Sequence, residues 1–230
     1  MRVKHYESLS STNNYAKELI NQLNHFDVVT AKRQTSGKGR NNNTWMSSGD
    51  NLYLSIVLKE DISHQGIFKE VMVASISVIK TLELYNLKPL IKYPNDILIN
   101  NKKISGILIE SSGSIVLHYL VVGVGLNINQ IDFNELSDKA VSMKQLTTKR
   151  LNVEDVLSNF LETYQYYRAV DSSKLLTLYK EKSLIYNRDI KVDGKLYNVL
   201  DIKLNGDIVL KDGNDIFERN FNEISLSDIY

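Results

Sequence analysis

Hydrophobic and polar positions follow two periods along the chain, one typical of helices and one typical of strands. Apolar side chains at helical spacing predict amphipathic helices that start near Thr12 and that cover residues 67–84 and 153–164. Short runs rich in β-branched residues predict strands, which are expected at residues 2–6, 26–31, 51–58, 91–93, 97–99, 103–110 and 115–124. A Ser-Ser-Gly-Ser stretch joins the last two strands and favours an antiparallel hairpin.

The pattern changes near residue 184. Three Asx-Gly pairs follow one another closely, at residues 193–194, 205–206 and 212–213, with β-rich runs between them. Such pairs are typical of the tight turns that join twisted antiparallel strands. The sequence therefore predicts two units, a larger one over residues 1–183 and a small β-barrel or meander over residues 184–230.

Composition fits a folded protein and narrows its chemistry. The chain has 230 residues, 43% hydrophobic and 24% charged, and its net charge of +1 gives no global attraction to nucleic acid or membrane. It has no cysteine, which excludes disulfides, thiolate nucleophiles and cysteine-bound metals. The charged start does not resemble a secretory signal, and the apolar centre of residues 111–131 is too short to span a bilayer. We expect a cytoplasmic protein.

One polar segment without a regular period carries glycines and positive charge. Residues 28–49 contain no acidic side chain but include Lys32, Arg33, Lys38 and Arg40. Glycines in its centre, Gln-Thr-Ser-Gly-Lys-Gly-Arg, allow the backbone to turn N–H groups toward an anion. A solvated basic surface loop explains these residues equally well. The GxxxxGK[ST] phosphate loop and the GxGxxG dinucleotide motif are both absent.

Several short segments resemble, in order along the chain, the motifs of biotin–protein ligases. The matching segments are Ser11-Thr12-Asn13 (STN), residues 34–45 (the biotin-binding loop), residues 51–55 (NLYLS), residues 92–96 (KYPND for KWPND), residues 103–110 (KISGILIE for KxxGILxE) and residues 122–127 (VGVGLN for GxGxN). The resemblance implies an α+β fold: a mixed, largely antiparallel sheet packed with helices in the class II synthetase-like manner, plus a small C-terminal SH3-like β-barrel. It implies the monofunctional type, without an N-terminal DNA-binding domain.

The resemblance also implies a reaction and its participants. Biotin and ATP form biotinyl-5′-AMP and pyrophosphate, and biotin then passes to a specific lysine of a biotin carboxyl carrier protein. ATP and Mg²⁺ are the expected co-substrate and activating ion, and no tightly bound prosthetic group is expected. Neither DNA nor a membrane is an expected partner, and the protein is expected to be a monomer or a homodimer.

Candidate residues follow from the matching motifs. The candidates for catalysis are Arg40, Lys103 and Asp96. The candidates for biotin binding are Ser11, Thr12, Asn13, Gln34, Gly37, Lys38, Gly39, Arg40, Lys103 and Gly106. The candidates for nucleotide binding are Arg40, Trp45, Asn95, Lys103 and Asn127, and Asp96 is also the candidate ligand for Mg²⁺.

Physical chemistry gives these candidates both a function and a simpler alternative. Adenylation brings a carboxylate against phosphates, so the planar fork of Arg40 and the point charge of Lys103 offset the repulsion. In the simpler alternatives, Lys103 is a solvated turn lysine, Trp45 fills the core and Ser11 caps a helix. Asp96 fits Mg²⁺ binding, proton removal from the acceptor lysine, or the capping of a strand turn.

Two other functions are compatible with parts of this pattern. Residues 41–44 (Asn-Asn-Asn-Thr) stand where more Arg, Gly and Lys are usual in the biotin-binding loop. A lipoate–protein ligase would share the fold and the adenylation chemistry. Its ligand-binding loop, however, is expected to carry an Arg-Arg pair followed by a Gly-Gly-Gly stretch. A non-catalytic anion-binding or ligand-binding module would use the basic loop only to bind its ligand.

Overall fold

The computed structural model describes residues 1–192 and 194–220 of the chain. Within them, a seven-stranded sheet is built from β1 (Val3–Leu9), β2 (Val28–Gln34), β3 (Leu52–Leu58), β4 (Leu90–Lys92), β5 (Asp96–Ile99), β6 (Lys102–Ser112) and β7 (Tyr119–Leu126). The order across the sheet is β1-β2-β3-β7-β6-β5-β4. The pair β1–β2 is parallel and the other neighbours are antiparallel. The predicted mixed, largely antiparallel sheet is confirmed.

The described chain also contains α1 (Thr12–Glu18), α2 (Ile67–Glu83), α3 (Met143–Thr147), α4 (Val153–Arg168) and α5 (Ser172–Lys182). The predicted helices at residues 67–84 and 153–164 are confirmed, and α4 continues to Arg168. The first helix is shorter than its apolar spacing predicts and gives way to a 3-10 turn at Ile20–Gln22. The ammonium group of Lys59 donates to the carbonyls of Ile20 and Leu23, at 2.6 Å each, and so satisfies this helix end.

The two faces of the large sheet have different partners, and strand β7 shows this most clearly. Leu120, Val122 and Val124 point into the main core, where α2 packs on the sheet and on α4 and α5. The alternate residue Val121 lies in a smaller cluster with Ala16 of α1 on the opposite face. Because strand side chains alternate, the next two positions on the α1 face are glycines.

The hairpin of β6 and β7 differs from its prediction at the tip. The second strand begins at Tyr119 rather than at residue 115, and Ile115 and Val116 are 90% and 68% exposed. Gly113 adopts φ +106°, and the His118 amide donates to the Ser112 carbonyl at 2.8 Å, which closes the turn after these residues. A run of β-branched residues therefore lies in the turn, where their intrinsic strand preference is overridden.

An ion pair fastens the parallel strands at the sheet edge. The guanidinium of Arg2 contacts the buried carboxylate of Asp27 at 2.6 Å, and the Arg2 and Asn24 amides donate to the same carboxylate. Burial by itself raises the pKa of Asp27, but these hydrogen bonds outweigh it and lower the pKa to about 2. The carboxylate therefore stays ionised in the folded protein well into the acid range.

A separate antiparallel sheet follows, formed by β8 (Asp189–Val192), β9 (Lys195–Ile202), β10 (Ile208–Asp212) and β11 (Asp215–Arg219) in the order β11-β10-β9-β8. The predicted turns at Gly206 and Gly213 are present, each with a positive φ. The consecutive strand order is that of a meander, one of the two predicted forms; the barrel is not confirmed, because the sheet is open in the described residues. Strand β11 is largely exposed and offers little apolar surface on which to close. Asp193 and residues 221–230 of the expected barrel lie outside the described residues.

The structure contains no helix, within residues 1–192 and 194–220, that combines the length and apolar character needed to cross a membrane.

Candidate active site

Glycines form the floor of the candidate site on the α1 face of the sheet. Gly106 of β6 pairs with Gly125 of β7, and Leu108 pairs with Gly123 two register positions along, on the same face. A Cβ atom at Gly123 would lie 2.3 Å from Oδ1 of Asn13, and one at Gly125 would lie 2.6 Å from the Trp45 ring. The missing side chains therefore let Asn13 and Trp45 lie directly on the strands.

The cationic loop after β2 folds over this floor as a short hairpin. Lys38 and Thr44 form an antiparallel bridge, and the Gly39 amide donates to the Asn43 carbonyl at 2.7 Å. The Trp45 amide donates to the carbonyl of Gly37 at 2.9 Å, which returns the chain to the sheet. The loop carries its polar groups across the glycine floor and ends by placing the indole of Trp45 against it.

Between the loop and the floor lies a cavity of about 280 Å³. Its walls come from the start of α1, the loop, the segment between β4 and β5, and strands β6 and β7. Most of the predicted site residues line it: Ser11, Thr12, Asn13, Gln34, Lys38, Gly39, Arg40, Trp45, Asn95, Asp96, Lys103 and Gly106. Residues that are distant in the sequence thus meet at one cavity.

Positive charge gathers at one end of the cavity. Nη1 of Arg40 donates to Oδ1 of Asn95 at 3.1 Å, and Nδ2 of Asn95 donates to the Ile107 carbonyl at 2.6 Å. Nζ of Lys103 lies 2.7 Å from a carboxylate oxygen of Asp96. The neighbouring residues Asn95 and Asp96 therefore hold one cation each, and the same short segment sets the positions of both.

Trp45 connects the loop to the cationic end. Nζ of Lys103 lies 5.2 Å from the centre of the Trp45 ring, within the range of a cation–π contact. Nε1 of Trp45 is buried and has no hydrogen-bond partner among the described residues. Such an unpaired buried donor is costly unless another group satisfies it. Trp45 is thus a half-buried wall of the cavity and lies outside the buried hydrophobic core, so filling of the core does not account for it.

Polar side chains of α1 and β2 form another part of the wall. Ser11 precedes α1, but its side chain makes no capping hydrogen bond, so the capping alternative does not account for it. The amide and hydroxyl of Thr12 both donate to Oε1 of Gln34, at 2.8 and 3.2 Å. Nε2 of Gln34 donates to Ser47 at 3.3 Å, which fixes the amide orientation of Gln34.

Two predicted site residues lie behind the walls. A Cβ atom at Gly37 would be 2.7 Å from the Trp45 carbonyl, so this glycine allows close approach of two loop segments. Asn127 is buried, and its Nδ2 donates to the carbonyls of Lys103 and Val141 at 3.4 and 3.2 Å. In the structure, Asn127 therefore contacts the backbone that carries Lys103 rather than the cavity itself.

The sequence interpretation omitted several cavity residues. Lys92 lies opposite Asp96 in the antiparallel strand pair β4–β5 and lines the cavity. Burial lowers the pKa of Lys92, Asp96 opposes this change, and Lys103 adds to it. Gly123 and Gly125 were visible as a GxG pair in a strand, a pattern that signals close approach of another group.

Buried tyrosines hold the segment that bears Asn95 and Asp96. The hydroxyl of Tyr179 in α5 donates to the Pro94 carbonyl at 2.6 Å. The hydroxyl of Tyr93 donates to the carbonyl of Gly206 in the turn between β9 and β10. A Cβ atom at Gly206 would lie 2.5 Å from the ring of Phe68, so this turn packs tightly on α2. The C-terminal sheet thus contacts the segment that positions both cations.

The described residues contain no group of three or more His, Asp or Glu side chains able to hold a metal ion. Asp96 stands as a single carboxylate at the cavity, paired with Lys103. Mg²⁺ is commonly held by one or two protein carboxylates together with substrate phosphates. The residues present fit that mode of binding and do not form a closed metal site of their own.

Comparison with known proteins identifies the family. The sequence matches the biotin/lipoate A/B protein ligase family over residues 6–127, which is more than half of the chain. The chain belongs to this family. The matched range covers every residue that lines the cavity described above.

Curated members of the biotin/lipoate ligase family resemble the chain over a similar range. It is 33% identical over 168 residues to the bifunctional ligase/repressor BirA of Bacillus subtilis, which covers 70% of this chain and 52% of that protein. It is 34% identical over 128 residues to the biotin–[acetyl-CoA-carboxylase] ligase of Paracoccus denitrificans, which covers 51% of each. The chain spans about half the length of these relatives.

Solved structures of the biotin/lipoate ligase family share the fold. The biotin protein ligase of Aquifex aeolicus, in complex with biotin and ATP, superposes with a TM-score of 0.84 at 24% identity. The superposition covers 97% of both chains. The likeness therefore includes α4, α5 and the C-terminal sheet, which lie beyond the family match.

Proposed function

We propose that the chain is a biotin–protein ligase that forms biotinyl-5′-AMP from biotin and ATP and transfers biotin to a lysine of a biotin carboxyl carrier protein. One observation carries the proposal: Arg40 and Lys103, far apart in the sequence, line one end of a single cavity. The names of the curated relatives, and the biotin and ATP of the Aquifex aeolicus complex, support the choice of substrates.

The first half-reaction needs neutralisation of like charges. An oxygen of the biotin carboxylate attacks the α-phosphorus of ATP, and the bond to the oxygen of the leaving pyrophosphate breaks. Both reactants are anions, so cations that are already in place lower the barrier. Arg40 contributes two parallel donors, and Lys103 contributes a compact charge. Their contacts with Asn95 and Asp96 hold them in position before the substrates bind.

The remaining wall residues divide between the two substrates in this proposal. The polar groups of Ser11, Thr12, Asn13 and Gln34 lie on the α1 side and are suited to the ureido ring of biotin. Gly39 in the loop and Gly106 in β6 let the backbone approach biotin closely, Lys38 adds positive charge, and Gly37 acts indirectly by letting the loop close on Trp45. Trp45, Asn95 and Asn127 are assigned to the nucleotide, Trp45 through its ring and Asn127 through the backbone it holds.

The second half-reaction needs a neutral amine. The acceptor lysine attacks the acyl carbon of the adenylate, AMP leaves, and the attacking nitrogen loses a proton. Asp96 is the carboxylate at the cationic end and is assigned as the group that accepts this proton. Asp96 and the substrate phosphates would together hold Mg²⁺, which supplies further charge neutralisation when bound. The loop over the glycine floor excludes water, which would otherwise hydrolyse the adenylate.

We also propose that residues 184–230 form a small C-terminal domain of the SH3-like type, beside a catalytic domain at residues 1–183. The separate antiparallel sheet β8–β11 and its tight turns support this division. The contact of Gly206 with Tyr93 gives such a domain a part in the reaction, because it supports the segment that holds Arg40 and Lys103.

Pyrophosphate release tests the proposal. The protein is incubated with ATP and Mg²⁺ and then with biotin, lipoate or no acid. Release that requires biotin, followed by labelling of a carrier domain at its lysine, is the expected result. Release with lipoate only would assign a lipoate ligase of the same fold, and no release with either acid would favour a non-catalytic binding module.

A further inference from the structure

A chain of four polar side chains runs from α1 into the sheet beside the cavity. Nζ of Lys17 donates to Oε1 of Glu110 at 2.6 Å. Nδ2 of Asn13 donates to Oε2 of Glu110 at 2.8 Å, and the hydroxyl of Ser55 donates to Oδ1 of Asn13 at 2.6 Å. Of the four residues, Asn13 lines the cavity and the other three stand behind it.

One of these four side chains is the buried amide of Asn13, and its surroundings leave it little freedom to move. Asn13 is 3% exposed and Ser55 is fully buried. Oδ1 of Asn13 lies over Gly123, which is part of the cavity floor, and any Cβ atom at Gly123 would displace it. A buried amide must keep its hydrogen bonds, since an unpaired group costs about 1–3 kcal/mol. The partners of Asn13 therefore decide what it presents to the cavity.

Glu110 is the nearer of two acceptors that fix the orientation of this amide: Nδ2 of Asn13 donates to Glu110 at 2.8 Å and to the Leu108 carbonyl at 3.4 Å. Rotation by 180° would exchange the oxygen and nitrogen of Asn13, and the Ser55 hydroxyl can pair with either atom. An ionised carboxylate accepts hydrogen bonds but cannot donate one, so it pairs only with the NH₂ group. Burial raises the pKa of Glu110, but the hydrogen bonds from Lys17 and Asn13 outweigh it and lower the pKa, which keeps the carboxylate ionised.

We propose that Glu110, held by Lys17, is a positioning residue for biotin recognition: it turns Asn13 so that Oδ1 accepts an N–H of the ureido ring. Oδ1 has a second lone pair beyond the one that Ser55 uses. With the amide reversed, an NH₂ group would face an N–H donor, and the ligand would be rejected. The inference rests on the proposed function, because it assigns the ureido end of biotin to this wall.

If Lys17 and Glu110 had only a structural role, the outcome would be different. Lys17 and Glu110 also tie α1 to strand β6, so their loss destabilises the protein whether or not they affect ligands. Lost stability alone would weaken the binding of all ligands alike. Reversal of one amide would weaken the ligands that offer an N–H at that position and would spare an analogue that lacks it.

The test compares biotin with two analogues, each with an oxygen in place of one ureido N–H. Calorimetry without ATP measures their affinity for the wild type, Glu110→Gln, Glu110→Asp and the double variant Glu110→Gln/Lys17→Met. Glu7→Gln is the matched control. Glu7 and Lys32 form an exposed ion pair, with 2.7 Å between the ammonium and the carboxylate oxygen, and neither residue lines the cavity. Thermal unfolding is recorded for each protein.

The wild type should prefer biotin over at least one analogue by tenfold or more, about the value of one hydrogen bond. Glu110→Gln should lower that preference to about threefold or less, because the amide of Gln can donate as well as accept. Glu110→Asp keeps a charge and should retain most of the preference. The double variant should recover stability, since no unpaired ammonium remains, but not the preference. Glu7→Gln should match the wild type.

An unchanged biotin preference in Glu110→Gln overturns the inference and leaves the proposed function intact. A preference that returns together with stability in the double variant also overturns it, since the effect is then structural. Failure of the wild type to bind biotin would instead refute the proposed function, and the inference would fall with it.

Discussion

Replacing Lys103 by alanine removes the ammonium group at the cationic end of the cavity and leaves its partner in place. Nζ of Lys103 lies 2.7 Å from Asp96, so the variant exposes an uncompensated carboxylate where biotin and ATP must meet. Two changes therefore act in the same direction: an attraction for the reacting anions is lost, and a repulsion is added.

The expected size follows from this geometry. A unit charge at about 4 Å from a developing negative charge contributes about 4 kcal/mol at an effective dielectric constant of about 20. The Lys103 side chain is 35% exposed, so water screens part of this interaction, and we take about half. With the repulsion from Asp96 added, adenylate formation should slow by about 10² to 10³-fold, as is typical when a group that stabilises developing charge is removed.

Single-turnover formation of biotinyl-adenylate, with enzyme in excess, measures this rate directly. Lys102→Ala is the matched control, because Lys102 is a half-buried neighbour that does not line the cavity and whose ammonium donates to the Ser137 carbonyl at 2.8 Å. This control should stay within about twofold of the wild type, as surface changes usually do.

Biotin affinity without ATP separates the chemical step from binding. It should fall by less than about fivefold in Lys103→Ala, because biotin alone brings one carboxylate to the cavity, whereas the reaction also brings the phosphates of ATP against that carboxylate. Equal losses in rate and in biotin affinity would refute this reasoning. So would a rate for Lys103→Ala within about threefold of that for Lys102→Ala.

Three further predictions test other parts of the structure. Tyr93→Phe keeps the packed ring but removes the donor to Gly206, and we expect kcat for pyrophosphate release to fall about fivefold to tenfold with thermal stability lowered by only a few degrees. An equal kcat would mean that this contact does not support the catalytic segment. Gly125→Ala places a methyl group within the Trp45 ring contact, so tryptophan fluorescence should shift and biotin binding should be lost while the far-UV circular dichroism is kept. The low pKa of Asp27 gives stability that is fully present above the pKa of the unfolded chain, near 4, and is lost as the pH falls toward 2. In urea titrations between pH 4 and pH 2, Asp27→Asn should therefore lose less stability than the wild type, and parallel curves would contradict the assignment.

The sequence predicts the large elements of this fold because burial imposes clear periods on them. Helix α4 buries one apolar stripe, helix α2 is buried at most of its positions, and strand β3 is buried along its whole length. The helix after Ser11 is misjudged in length because its end depends on Lys59, a side chain that is remote in sequence. The short helix α3 depends on a capping box of Ser142 and Gln145 and buries only Met143, so it has no periodic signal.

The order of the motifs predicts which residues line the cavity. The contacts among these residues can be described only once the fold is known. Arg40 and Lys103 are recognisable from their motifs, but no spacing rule places Asn95 and Asp96 as their separate partners. The place of Asn127 behind the wall follows from its contact with the Lys103 carbonyl, which exists only after β6 and β7 have paired. Glu110 matches the last position of its motif, but its partner Lys17 lies in α1 beyond the Ser11-Thr12-Asn13 segment, at a position that no motif marks.

The two faces of strand β7 imply that substitutions at residues that contact no ligand can still change ligand binding. The even positions of the strand, Leu120, Val122 and Val124, are a wall of the main core, and on the opposite face Gly123 and Gly125 leave the floor of the cavity without side chains. Bare backbone has no flexible side chains to absorb a displacement, so a change of volume at Val122 or Val124 moves the opposite surface by nearly the same amount. Conservative exchanges among aliphatic residues in the protein interior should therefore alter substrate affinity, and a screen for altered ligand preference would recover them beside substitutions in the cavity.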